Sequence, residues 1–325
     1  MNAHILMQTH AENYLSERRR LGYGLRTTGY SIMSFARYMD ALDSQEPLTV
    51  EIMADWARQD QGNSDKPSTW AQRLKRLRSF CRYLQQFEPR TEVPDDTIFG
   101  RIGQRLAPHI YSEQEIIDLL AAARNLGSFI PGLRGATYET LFGLIASTGL
   151  RVSEAVHLLD TEVDLKSGTL TVRKTKFAKS RHVPIHPSTI EILKHYRSKR
   201  NLSIAVTEDT SFFISTRGRR LGQPLSLEQV HRVFIGLRDQ LGWINRGAHN
   251  APRIHDLRHT FVVRRVLLWQ AQGLDVDQQM LALSTYVGHA MVTNTYWYLT
   301  GIPQLMSVAA ERFECFTNMP EVCHD

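Results

Sequence analysis

The segment Glu88-Pro89-Arg90-Thr91-Glu92-Val93-Pro94-Asp95-Asp96 carries two prolines and no apolar period. Proline lacks the N–H a helix interior needs, so regular structure stops here. Before it, apolar residues recur every three or four positions, the pattern of helices with one buried face. Helices are expected over Leu15–Leu25, Thr28–Leu42 and Thr49–Arg58, and from a Ser68 cap to about Phe87, where Leu74, Leu77, Cys81 and Leu84 form an apolar stripe. After it, order resumes at Tyr111, where Ser112 and Glu115 have the spacing of a capping box ahead of an amphipathic stretch, Ile116–Ala123. The 325 residues suit two domains at ~100–200 residues each. Residues 1–90 are expected as a helical domain, 91–106 as a linker and 107–325 as a second domain.

The second part is mixed. Helices are expected over Ala136–Ser147 and Val152–Leu159. Thr169–Arg173 alternates as a strand and Arg181–Ile185 reads as its return partner, with Thr175–Ser180 as the turn. Helices follow at 187–199, 226–241, 256–272, 276–286 and 303–313. The expected fold class is therefore mainly α with a small β-sheet (α+β) in the larger domain, beside a separate all-α N-terminal domain. No stretch approaches the ~18 apolar residues of a membrane helix, and Met1–Met7 has no basic segment leading a long apolar one. Three cysteines, Cys81, Cys315 and Cys323, cannot all pair, and none forms a Cys-x-x-Cys motif. The chain reads as reduced and cytoplasmic, with no membrane partner.

Lys and Arg number 39 against 33 Asp and Glu, a formal charge of +6, and the isoelectric point is near 9.3. Such an excess fits a nucleic-acid partner. Its placement says more. Arg73, Lys75, Arg76, Arg78 and Arg82 crowd one expected helix with no acid among them. Without intrahelical ion pairs to satisfy, this helix is expected to face DNA phosphates.

Four segments carry residue types suited to phosphate chemistry. Arg151 lies at a helix start with Glu154 three residues on, an ordinary surface pair or an arginine held so that its fork grips a phosphate. Lys174, Lys176, Lys179 and Arg181 crowd the hairpin tip, where a lysine is either solvated or placed to protonate a leaving oxygen. His255 and Arg258 share a face at a helix N-terminus, where anions settle readily. His289 follows Gly288, and Tyr298 stands nine residues later in the run Tyr296-Trp297-Tyr298-Leu299. Each alone has a commonplace explanation.

In order and spacing, the set resembles the catalytic residues of the tyrosine recombinases, the phage integrase family, over roughly residues 110–315. The resemblance implies that Arg151 and Arg258 clamp the scissile phosphate and that Lys176 protonates the 5′ leaving oxygen. It makes His255 an aid to proton transfer with the nucleophile, His289 a hydrogen-bond donor to the phosphate, Glu154 a residue that orients the site, and Tyr298 the nucleophile. Tyr296 stays open as an alternative nucleophile, Lys174 and Lys179 as alternatives to Lys176, and His259 reads as a helix-surface or core residue.

The implied function is site-specific recombination or integration through a 3′-phosphotyrosyl bond, with no metal, ATP or other cofactor. The implied partners are double-stranded DNA bearing specific recombination sites and further copies of the chain, as a tetramer on two sites. The helix expected over Pro303–Phe316 docks either on a neighbouring subunit or on its own. Relaxation in the manner of a type IB topoisomerase, chromosome-dimer resolution and DNA binding without catalysis are the alternatives. Among biological roles, the Tyr-Trp-Tyr-Leu run resembles the mobile-element members.

Overall fold

The computed structural model describes residues 6–42, 46–59, 65–100, 103, 105–127, 130–173, 180–301 and 305, with the side chains of 299–301 left aside. The chain divides into two compact units, Met1–Arg105 and Leu106–Asp325.

The first unit holds helices α1 (Met7–Arg20), α2 (Arg26–Leu42), α3 (Val50–Gln59) and α4 (Pro67–Leu84). They enclose one core, in which Phe35 meets Trp56 edge-on at 5.3 Å. Helix α1 begins eight residues before its expected start. Its first N–H groups, at Met7 and Gln8, are taken by the Asp40 carboxylate on α2, at 2.7 and 3.1 Å. That cap comes from 32–33 residues away and leaves no local signature. Helix α4 starts at Pro67, whose fixed φ suits a first helical position, rather than after a Ser68 cap.

Residues 91–99, expected as linker, pack on this unit. Thr91 and Pro94 are buried, and Val93, Ile98 and Phe99 join the core. The Glu92 N–H bonds Leu48 O at 2.9 Å, and the Glu92 carboxylate accepts the Val50 N–H at 2.6 Å. Proline had excluded regular structure there, not burial.

The second unit opens with α5 (Glu113–Arg124), capped reciprocally by Ser112 and Glu115 as expected. It packs along α6 (Leu133–Thr148), which buries Tyr138, Leu141, Phe142 and Ile145. A short α7 (Val152–Val156) leads to an antiparallel sheet, β1 (Val163–Asp164), β2 (Thr169–Val172) and β3 (Arg181–Pro184), with Leu170 opposite Val183. Strand β1 is two residues long, too short to show alternation. Then come α8 (Pro187–Asn201), α9 (Leu227–Leu241), α10 (Ile254–Ala271), α11 (Val276–Val287) and α12 (Thr293–Gly301). Helices dominate and the sheet is small, as expected. Helix α12 contains the aromatic run, while the helix expected over 303–313 lies outside the described residues except Leu305, which is buried.

Candidate active site

At the end of α6 the chain turns through Gly149, at φ +65°, where a Cβ would stand 2.5 Å from the Phe261 ring. This tight turn sets Arg151 at the head of α7. The Glu154 carboxylate accepts the Arg151 N–H at 3.0 Å and its Nη1 at 2.7 Å. Arg151 Nη2 donates to Gly288 O at 2.8 Å. On its other side Glu154 takes both terminal nitrogens of Arg181, at 2.8 and 3.1 Å, and Arg181 Nε donates to Tyr286 O at 2.8 Å. Burial pushes the Glu154 carboxyl up, but the Arg181 hydrogen bond and charge, with the Arg151 N–H and charge, outweigh it and hold it at about 2. The carboxylate is ionised at neutral pH.

Helix α10 contributes the next pair. Asp256 accepts the Arg253 N–H at 2.9 Å and fixes the start of the helix. Arg258 is 1% exposed, and its Nη1 donates to Gly149 O at 2.6 Å. Its Nη2 is buried with no hydrogen-bond partner among the described residues. Burial first, then the positive charge of Arg151, draws the guanidinium down to about 10. His255 falls to about 4 through burial, with Arg258 and Arg253 adding to it against Asp256. Its imidazole is neutral at pH 7.

Helix α12 supplies Tyr298, fully buried. The Tyr298 hydroxyl lies 2.6 Å from His259 Nδ1, and the His289 ring stacks over the phenol at 6.4 Å and 17°. His289 Nδ1 is 2.7 Å from Thr295 Oγ1. Gly288 closes α11 at φ +71°, and a Cβ on it would meet Arg181 Nη1 at 2.6 Å, so the Gly-His pair is seated against Arg181. Tyr296 is two residues from Tyr298, about 200° around a helix. It is half-buried, and a hydrogen bond to Asp277 raises its phenol.

The structure thus brings together Arg151, Glu154, His255, Arg258, His289 and Tyr298. Lys176 and its neighbours Lys174 and Lys179 lie outside the described residues. The expected phosphate-facing helix divides. Arg73 is buried and donates to Ala57 O at 2.5 Å. Arg78 donates to Pro94 O and Asp96, each at 2.8 Å, and Arg76 to Ser31 at 3.2 Å. Lys75 and Arg82 are exposed. Arg73 and Arg78 therefore stabilise the first unit, because side chains stepping 100° per residue cannot all face one way.

Two members of the site were missed in the sequence. Arg181 showed only as one more charge beside the hairpin tip. His259 is a core residue, but it also touches the Tyr298 hydroxyl, and its one signal was its position four residues after His255, on the same face. Among the described residues no three His, Cys, Asp or Glu side chains are grouped to hold a metal ion, and no helix is long and apolar enough to cross a membrane.

Residues 111–301 match the phage integrase family. An integrase/recombinase of Sinorhizobium fredii, y4rB, is 36% identical over 93% of this chain and 95% of its own. Tyrosine recombinase XerC of Thermodesulfovibrio yellowstonii is 30% identical over 71% and 70%. The Tn1549 transposon integrase, solved with transposon right end DNA, superposes with a TM-score of 0.61 at 16% identity, covering 94% of this chain and 99% of that one.

Proposed function

This chain belongs to the phage integrase family, the tyrosine recombinases that break and rejoin DNA strands at specific sites, and from that premise we propose that Tyr298 is its nucleophile and that the reaction passes through a 3′-phosphotyrosyl bond. The observation that carries this is the buried Arg258 Nη2, which has no hydrogen-bond partner among the described residues. An orphaned guanidinium N–H inside a protein is costly, and a phosphate oxygen is an acceptor well suited to satisfy it. Arg151 is turned toward the same place by Glu154 and Gly288 O.

A phenol with pKa ~10 is about one part in a thousand ionised at pH 7 and needs activation. Arg151 and Arg258 favour the extra negative charge of the pentacoordinate transition state over the ground state. His289 donates to the phosphate and Lys176 protonates the 5′ oxygen as it leaves. The bond to Tyr298 conserves the energy of the phosphodiester, so a 5′-hydroxyl from another strand reverses the step. The first unit and the catalytic unit both bind duplex DNA, and four copies assemble on two sites. We place the protein with the recombinases of mobile elements. Its identity to the Sinorhizobium integrase/recombinase is 36% over nearly both chains, against 30% over about 70% for the Thermodesulfovibrio XerC and 24% over about 90% for the Escherichia coli XerC.

The test is a nicked suicide duplex carrying DNA that flanks the gene. Wild type, Tyr298→Phe and Tyr296→Phe are incubated without added metal and resolved on a denaturing gel. A covalent band lost only in Tyr298→Phe is expected. Loss only in Tyr296→Phe moves the nucleophile, and specific binding with no adduct from any protein refutes cleavage at that site.

A further inference from the structure

We infer that His259, rather than His255, is the general base that takes the proton from the Tyr298 hydroxyl. The inference rests on the reading of Tyr298 as nucleophile. Its observation is the 2.6 Å approach of His259 Nδ1 to Tyr298 Oη, between a histidine 3% exposed and a tyrosine fully buried. A base must lie within hydrogen-bond reach of the proton it removes, and His259 does. His255 stands one turn earlier on α10, its ring edge-on to His259 at 4.8 Å. Its neighbours Arg258 and Arg151 are the phosphate clamp. Helix geometry thus divides the labour: at i and i+4 on one face, His255 is left to the phosphate and His259 meets the phenol.

The step balances. The hydroxyl donates to an Nδ1 that carries no proton, the tautomer with its hydrogen on Nε2. The O–H bond breaks, the proton passes to Nδ1, and the phenolate electron pair forms the oxygen–phosphorus bond. The bond from phosphorus to O5′ breaks with its electron pair on O5′, which takes a proton from Lys176. In rejoining, His259 returns its proton to the tyrosine oxygen. Among the described residues, the groups packed around this pair include His255 and Arg258 on α10, and His289 stacked on the far side of the phenol. Trp297 also approaches both rings and does not titrate.

Single-turnover cleavage of the suicide duplex tests this from about pH 5 to about pH 9, a range that brackets imidazole titration. The proteins are wild type, His259→Asn, His259→Phe and Tyr298→Phe, each with its DNA binding measured by fluorescence anisotropy. Asparagine keeps a hydrogen-bonding group near the place of Nδ1 but takes no proton. Both His259 variants are expected to bind DNA as wild type does and to cleave at least ~100-fold more slowly near neutral pH, the ordinary contribution of a general base. Their rates should climb with pH toward the phenol range, while the wild-type rate levels off well below it.

His259→Asn cleaving at the wild-type rate with the wild-type profile overturns the base. So does a wild-type rate still rising at about pH 9, on the way to the phenol's own pKa of ~10, a result that needs no variant to fold. If Tyr298→Phe still forms the adduct, the nucleophile reading falls and this inference with it. If that adduct is absent while the His259 variants cleave normally, this inference alone falls.

Discussion

Replacing Glu154 with Gln removes one charge and almost no volume from the centre of the site, and its effect is calculable. The wild-type carboxylate faces Arg181, whose side chain is 10% exposed, and Arg151. A carboxyl held at about 2 rather than 4.5 corresponds to a preference of about 3 kcal/mol for the charged form in the folded chain. Breaking a buried ion pair by removing one partner costs about 3–5 kcal/mol by a separate route. The two agree near 3. In a unit of this size each kcal/mol moves Tm by about 2–4 °C, so Glu154→Gln is expected to melt about 6–12 °C below wild type at neutral pH in calorimetry of the full chain. The folded carboxyl is lowered, so its stabilisation is complete above the ordinary carboxylate range and is lost as pH falls toward 2. The gap between the proteins should hold steady down to about pH 5 and narrow below that. A variant that melts with wild type at neutral pH would falsify the reasoning. So would a gap that shrinks between about pH 8 and about pH 6, where this group does not titrate.

Arg258→Met should abolish the covalent adduct without lowering Tm, because folding holds this guanidinium at about 10 against its own charged form and the lost bond to Gly149 O is the smaller quantity; a drop in stability beyond about 1 kcal/mol contradicts this. His255 sits at about 4 against an ordinary 6.5, so its contribution is complete above 6.5 and lost on acidification to about 4, at most about 3 kcal/mol. His255→Gln should flatten the stability profile across that window, and an unchanged slope in denaturant titrations refutes it. Arg73→Ala should destabilise by about 1–3 kcal/mol and leave the salt dependence of DNA binding unchanged, whereas Lys75→Ala should lower that slope by about one. The opposite pattern restores Arg73 to the DNA face.

What was legible in the sequence was local or repeated. The Ser112–Glu115 cap acts within four residues, and the β2–β3 hairpin declares itself by alternation. The candidate site showed through residue types that few other purposes bring together in that order. What failed depends on partners distant in the chain. Asp40 capping α1 is one example, and Arg181 reaching Glu154 across 27 residues is another. Arg73 failed for a different reason. It stands four residues before Leu77 and seven before Phe80, all three buried on α4, and counting charges along the chain hid that face. His259 was visible as a helical neighbour of His255, but only the α10–α12 packing puts the Tyr298 hydroxyl against it.

The electrostatics of the site follow one logic. Among the described residues, Arg151, Arg181 and Arg258 bring three positive charges, Glu154 removes one, and His255 is held neutral, which leaves two, and the proposed general acid Lys176 would add another. Arg253 and Asp256 offset each other beside them. A phosphodiester carries one negative charge and its pentacoordinate transition state about two, so in the proposed reaction a positive surplus favours the transition state over the ground state. Arg181 enables this arrangement without being aimed at the phosphate. With Arg181 bound, Glu154 stays ionised inside the protein and keeps Arg151 turned toward the site. Were His255 protonated, a further positive charge would press on Arg258, which folding already disfavours in its charged form. The low pKa of His255 and the under-satisfied guanidinium of Arg258 are thus two results of one construction, a buried cationic cluster that, on the proposed function, binds an anion more tightly as that anion's charge grows.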